Sequence, residues 1–164
     1  MGERVERPTE RRPDVLPIFP LGGALLLPRA NLPLNIFEPR YLNMVEDAMA
    51  GPQLIGMVQP RVPFEHPAPN DAAVYEVGCA GRITAFSETE DGRYLITLTG
   101  ISRFAIVREL DMVRGYRRVA ADYERFAADL GEETGRIADR ARLLSLVKAY
   151  FEKTGLQADW PAME

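Results

Sequence analysis

The sequence predicts an α+β domain, mainly β, with one short helix inside it and a helical extension after it. Three observations lead there. Prolines at 17, 20, 28, 33 and 39 interrupt short apolar runs and forbid a long helix near the start. Asp91-Gly92 sits between alternating apolar and polar residues, a strong short-range hairpin signal. Helical periodicity is confined to a stretch after Pro39 and to Glu132–Lys153.

Length and composition set the frame. A chain of 164 residues is one domain's worth and hides enough surface to hold a core without a disulfide or metal. The net charge of −4 argues against a dedicated nucleic-acid or anionic-membrane binder. A lone cysteine, Cys79, excludes an intramolecular disulfide and a cysteine-based zinc cluster, and fits a reducing compartment. Only Lys148 and Lys153 are lysines, and neither follows a glycine, so a Gly-Lys-Ser/Thr phosphate loop is absent. Residues 1–14 mix both charges without an apolar run and read as a disordered tail rather than a signal peptide. No apolar stretch approaches the roughly 20 residues of a membrane helix. The expected location is the cytoplasm, with no membrane partner and no cofactor.

Along the chain, residues 15–39 read as short strands with turns at Gly22-Gly23 and Arg29-Ala30-Asn31. Pro39 suits a first helical position, and Tyr41, Leu42, Val45, Ala48 and Met49 then form one apolar stripe, with Gly51 as a left-handed stop. Gln53–Gln59 is a buried strand candidate running into a segment with prolines at 60, 63, 67 and 69. From Val74 to Glu124 the chain reads as strands. A two-residue Asp91-Gly92 loop would pair Ser87 with Ile96 and Ala85 with Leu98. Ile83, Ala85, Tyr94, Ile96 and Leu98 would then face the core, with Phe86 and Leu95 neighbours on the other, mixed face. Separate strands follow at Arg103–Glu109 and Tyr116–Glu124. In the final helix Ile137, Ala141, Leu144, Val147 and Phe151 form a stripe that must be buried on something.

Catalytic chemistry finds little purchase. His66 is the only histidine and lies in the proline-rich segment, without a second imidazole for a metal or a nucleophile. Cys79 has no base or cation near it in sequence. Ser145-Leu-Val-Lys148 and Lys153-Thr-Gly155 imitate two penicillin-binding-protein motifs, but they are adjacent, Ser145 is mid-helix, and no Ser-Asp-Asn occurs. Arg114, Tyr116, Arg117 and Arg118 form a basic, aromatic patch that would suit RNA phosphates, although Asp111, Asp122 and Glu124 stand beside it and favour a salt-bridged face.

The order of several segments resembles the N-terminal domain family of Lon proteases. They are Leu16-Pro-Ile-Phe-Pro-Leu21, Leu27-Pro28, Leu32-Pro-Leu-Asn-Ile-Phe-Glu-Pro-Arg-Tyr41, Leu54-Ile-Gly56, Tyr75-Glu-Val-Gly78, Gly81-Arg-Ile83, Asp91-Gly-Arg-Tyr94 and Gly100-Ile-Ser-Arg-Phe104. The resemblance spans residues 15–124 and loosens from Arg125 onward. It implies a PUA-like pseudo-barrel of short strands with one short helix, followed by a helical bundle of which 125–164 would be a truncated start. It also implies recognition of unfolded or tagged client proteins and support of hexamer assembly, with the ATPase and Ser–Lys protease modules elsewhere. The expected role is therefore a non-catalytic protein-binding module in ATP-dependent proteolysis or quality control. Its partners would be clients, a protease or ATPase, or a second copy through the terminal helix; the alternative is a PUA-like RNA-binding module. Candidate contact residues are Phe64, Phe86 and Leu95 as exposed apolar positions. Glu38 and Arg40, flanking Pro39, could serve either a ligand or the helix start.

Overall fold

The computed structural model describes residues 12–62, 68–131 and 139–155. The elements run β1 Val15–Pro20, β2 Asn31–Ile36, α1 Pro39–Met49, β3 Leu54–Val58, β4 Val77–Glu88, β5 Tyr94–Val113, β6 Tyr116–Asp122, a short 3-10 helix Glu124–Leu130, and α2 Arg140–Thr154. The chain divides into two compact units, Met1–Gly131 and Glu132–Glu164.

In the first unit the strand order is β2-β5-β4-β3-β1-β6, and β6 also pairs with β5, which closes the sheet into a pseudo-barrel. Closure depends on the length of β5. Residues 94–99 take β2 on one edge, and residues 105–113 take β6. Between these two spans, Gly100 bonds a loop: Arg29 N–H donates to its carbonyl at 2.8 Å, and its own N–H donates to Ala30 O at 2.9 Å. A Cβ at Gly100 would lie 2.0 Å from Leu27 O, so only glycine allows this approach.

Burial explains the texture of the sequence. All five residues of β3 are buried because the strand has a core cluster on each face. Ile55 and Met57 join Tyr41, Met44, Val45 and Ala48 of α1 in one cluster. Leu54 and Val58 join Leu16, Ile18, Ala80, Phe104 and Val119 in the other. The buried stripe of α1 is therefore Tyr41, Met44, Val45 and Ala48, with Met49 at the surface instead. Gly51 is not left-handed: the helix ends on Ala50 in right-handed geometry, and Gln53 takes the positive φ of 59°.

Two strand expectations change. The segments 103–109 and 94–100 are one continuous strand, β5, of 20 residues. It turns into β6 through Arg114-Gly115, with φ of 48° and 88° and Val113 paired to Tyr116. Positive φ at both central residues is the geometry of a two-residue hairpin, which Asn or Gly usually adopts. Arginine gave no such signal in the sequence; its guanidinium is held by α1 through Glu46 and Asp47 at 2.7 Å and Asn43 at 2.9 Å.

The Asp91-Gly92 hairpin forms, but with a three-residue loop. Thr89 N–H donates to Arg93 O and Gly92 N–H to Thr89 O, each at 2.9 Å, and Gly92 has φ of 79°. The Thr89 hydroxyl, which accepts from Arg93 N–H at 3.1 Å and bonds the Asp91 carboxylate, favours this loop over a two-residue one. The register moves by one residue: Ser87 pairs with Leu95, Phe86 with Ile96, and Glu88 with Tyr94.

In the second unit, α2 is capped by the Asp139 carboxylate, which accepts from Arg142 N–H at 2.8 Å, and Thr154 closes it by donating to Tyr150 O. Lys153-Thr-Gly155 is thus a helix end, with Gly155 left-handed. Leu144, Val147 and Phe151 are half-buried, while Leu143, Leu146 and Tyr150 are exposed. Ile137 lies outside the described residues.

Candidate functional site

The Glu38-Pro-Arg-Tyr41 stretch belongs to the fold's own bracing. Glu38 is the N-cap residue of α1, but its side chain makes no capping bond; the carboxylate accepts instead from Arg40 Nε at 2.9 Å. The Arg40 guanidinium continues to Asn70 Oδ1 at 2.7 Å and Ala68 O at 3.1 Å, and it lies 4.6 Å from the Tyr41 ring centroid. Asn70 in turn donates to Gly115 O at 3.0 Å. Arg40 therefore ties the start of α1 to Ala68–Asn70, where the chain leaves the proline-rich segment. Phe64 and His66 lie outside the described residues.

The basic patch is consumed internally. Arg114 is paired with Glu46 and Asp47. Arg117 is buried, bonds Glu109 and donates to Ala72 O at 2.8 Å. Arg118 donates twice to Asp111 O, and the buried Tyr116 hydroxyl donates to Asp47 at 2.8 Å. Hydrogen bonds from Arg114 and Tyr94 hold the Glu46 carboxyl below its ordinary range. For Asp47, desolvation pushes upward, but Tyr116 and Arg114 outweigh it and the result is lowered. Arg114 and Tyr116 thus brace α1 against the β5–β6 hairpin, while Arg117 and Arg118 bond residues of β5 and the Ala72 carbonyl.

Reactive groups are scarce too. Cys79 is buried, and its thiol is pushed up to about 12, first by desolvation. Among the described residues no three His, Cys, Asp or Glu side chains are placed to hold a metal ion. No helix among them is long and apolar enough to cross a membrane.

Several large apolar side chains are exposed. Phe86 and Leu95 are each 44% exposed, but the shifted register puts them on opposite faces, so they are not the neighbours that a two-residue loop implied. The Phe86 ring lies 5.0 Å from the Tyr94 ring, on the side of Ile96. Leu95 projects from the other face, opposite Ser87. The surrounding strands, residues 33–35, 85–87 and 95–97, line an open depression of about 490 Å³.

A second apolar surface escaped the sequence reading. Ile106 N–H donates to Glu76 O at 2.7 Å, one residue beyond the Val77–Ala105 pair, and Tyr75 N–H donates to Gln59 O at 2.9 Å. Val62, Tyr75, Val77 and Val107 are all exposed. The one available signal was Val107, an apolar residue that breaks alternation at the β5–β6 bulge.

The first unit is thus a small strand pseudo-barrel, closed by one long strand, braced by one helix and exposing apolar side chains on its strands. Residues 15–159 match the family model described as the ATP-dependent protease La (LON) substrate-binding domain, and the chain belongs to that family. It is 32% identical over 111 residues to the Lon protease of Dictyoglomus thermophilum, a match covering 68% of this chain and 14% of that protein. Lon protease 2 of Myxococcus xanthus is 31% identical over 110 residues, covering 67% of this chain and 13% of that protein. The chain therefore spans about a seventh of the curated relatives it matches. The crystal structure of a Lon N-terminal domain protein from Xanthomonas campestris aligns with TM-score 0.52 and 29% identity, covering 66% of this chain and 59% of that one. The N-terminal domain of the Mycobacterium avium complex Lon protease aligns with TM-score 0.53 over 86% of this chain and 69% of that one; at 14% identity it shares the fold alone.

Proposed function

We propose that this chain is a substrate-recognition module that binds exposed apolar segments of unfolded or tagged client proteins, and carries out no bond chemistry of its own. The observation that supports this most is the exposure of two large apolar side chains on the hairpin, Phe86 on one face of the sheet and Leu95 on the other, where these strands line an open depression. The family's description as a substrate-binding domain points the same way. In this reading the module works in the cytoplasm beside an ATP-dependent protease, supplied by another part of the assembly, and α2 offers Leu143, Leu146 and Tyr150 for association with that partner or a second copy. The RNA reading loses its support because Arg114, Arg117 and Arg118 are engaged within the fold.

The test is binding of a fluorescently labelled, permanently unfolded protein by anisotropy. The parent chain raises the anisotropy reversibly. Phe86→Ser and Leu95→Ser each weaken binding, by roughly tenfold if each removes about 1.5 kcal/mol of apolar burial. Phe64→Ala completes the set on sequence grounds. Unchanged affinity in all three variants, with folding intact, refutes the assignment of the surface.

A further inference from the structure

We infer that the outer edge of β4 over Thr84–Glu88 is a docking site for an extended polypeptide, which joins the sheet as an added strand. The inference rests on the client-binding reading above and names how the client is held.

Strand β3 covers β4 only as far as Arg82, and the next amide, Ile83 N–H, donates to Gln53 O at 2.9 Å. From Thr84 to Glu88 the described residues place no strand on that side, while β5 pairs the other. Hydrogen-bonded and non-bonded pairs alternate along an antiparallel ladder. Thr89 bonds Arg93, so Ser87–Leu95 is also a bonded pair, whereas Phe86–Ile96 and Glu88–Tyr94 are not. The main-chain N–H and C=O of Phe86 and Glu88 consequently point to the open edge, two rungs ready for a partner. The outer edge of β2 is blunted by Pro33, which has no N–H to offer. The β4 edge has no proline.

The side chains at the two open rungs define the occupant. Phe86 offers an exposed aromatic face, and Glu88, two residues on, offers an exposed carboxylate with no ion pair among the described residues. A strand added here sets its residues directly opposite these two, on the same face. The fitting segment is extended, with an apolar residue against Phe86 and a Lys or Arg two positions away against Glu88. A second copy pairing through the same edge fits less well. It can bring only Thr84, Phe86 or Glu88 opposite Glu88, and none of these is a cation.

The experiment uses the full chain and a fluorescein-labelled peptide of alternating Val and Thr carrying one Lys two positions from a Val. Two further peptides are N-methylated on alternate residues, in one phase or the other. One phase removes the amides that face β4 and weakens binding by roughly tenfold or more, as loss of main-chain bonds demands; the other leaves it unchanged. Replacing Lys by Glu in the peptide weakens binding in a salt-dependent way. Glu88→Pro removes one outward amide without touching the β4–β5 ladder, and it weakens binding more than Glu88→Gln. If both methylated peptides bind like the parent peptide while unfolded client still binds, the edge is not the site and the client-binding reading survives. If neither peptide nor unfolded client binds, both fall. A dimer that sediments as such and dissociates on Glu88→Pro assigns the edge to a second copy and overturns the inference.

Discussion

Gly100→Ala tests the closure of the pseudo-barrel at its tightest point. A methyl group there would meet Leu27 O at 2.0 Å, Leu27 C at 2.8 Å and Pro28 Cα at 3.2 Å, all of them main chain that cannot rotate away. The loop must retreat, and the Arg29 and Ala30 hydrogen bonds to Gly100 are stretched or lost. Overpacking costs about 1–3 kcal/mol, and the two bonds add about 1 kcal/mol each. Against this, alanine restricts the unfolded chain and returns about 0.4–1 kcal/mol. The net loss is about 2–4.5 kcal/mol, equivalent to a fall in Tm of roughly 4–18 °C at about 2–4 °C per kcal/mol for a chain of this length. Gly51→Ala is the control: its φ is not left-handed, and its nearest neighbour stands at 3.4 Å, so it should be neutral or slightly stabilising. Urea unfolding followed by far-UV circular dichroism measures both. A Gly100→Ala midpoint indistinguishable from that of Gly51→Ala would refute the argument that this approach demands glycine.

Three other outcomes follow from the same geometry. Cys79, buried with its thiol near 12, should resist a thiol reagent at neutral pH until urea unfolds the domain; stoichiometric labelling of native protein contradicts this burial. Asp129 is held below its ordinary value chiefly by hydrogen bonds from Arg103, so its contribution is present above the unfolded carboxyl pKa and is lost as pH falls through the folded one. Asp129→Asn should therefore flatten the dependence of the urea midpoint on pH below about pH 4, and an unchanged slope would count against the pair. Tyr41, Tyr116 and Tyr123 are pushed up to about 12, mainly by burial, so stability tied to them is full below the ordinary tyrosine pKa and declines as pH rises towards 12. Ultraviolet titration should show these three of the six tyrosines ionising only with unfolding, whereas six tyrosines titrating together near 10 would contradict the burial.

Much of the architecture was legible because it rests on local chemistry. Pro39 opened a helix, β3 announced its two-sided burial as an unbroken apolar run, and Asp91-Gly92 marked a hairpin. Register was less legible, because Asp-Gly suits either a two- or a three-residue loop and the deciding group was the neighbouring Thr89 hydroxyl. That single step separated Phe86 from Leu95. The Arg114-Gly115 turn was hidden for a different reason: an arginine in left-handed geometry, costing about 1–2 kcal/mol, is supported only by long-range bonds to Asn43, Glu46 and Asp47. For the candidate site, sequence identified which apolar residues are exposed on the hairpin, but not the open edge of β4. That edge exists because β3 is short and stops pairing at Arg82, a fact of strand lengths in three dimensions.

The central claim is that this surface grips unfolded polypeptide and leaves it intact. Titrating the full chain into a labelled unfolded protein, with anisotropy read throughout, addresses it most directly. The account predicts a saturable rise that is reversed by unlabelled competitor, with no decay over time. A flat trace at high protein concentration, or a signal that falls as the labelled chain is cut, would contradict it.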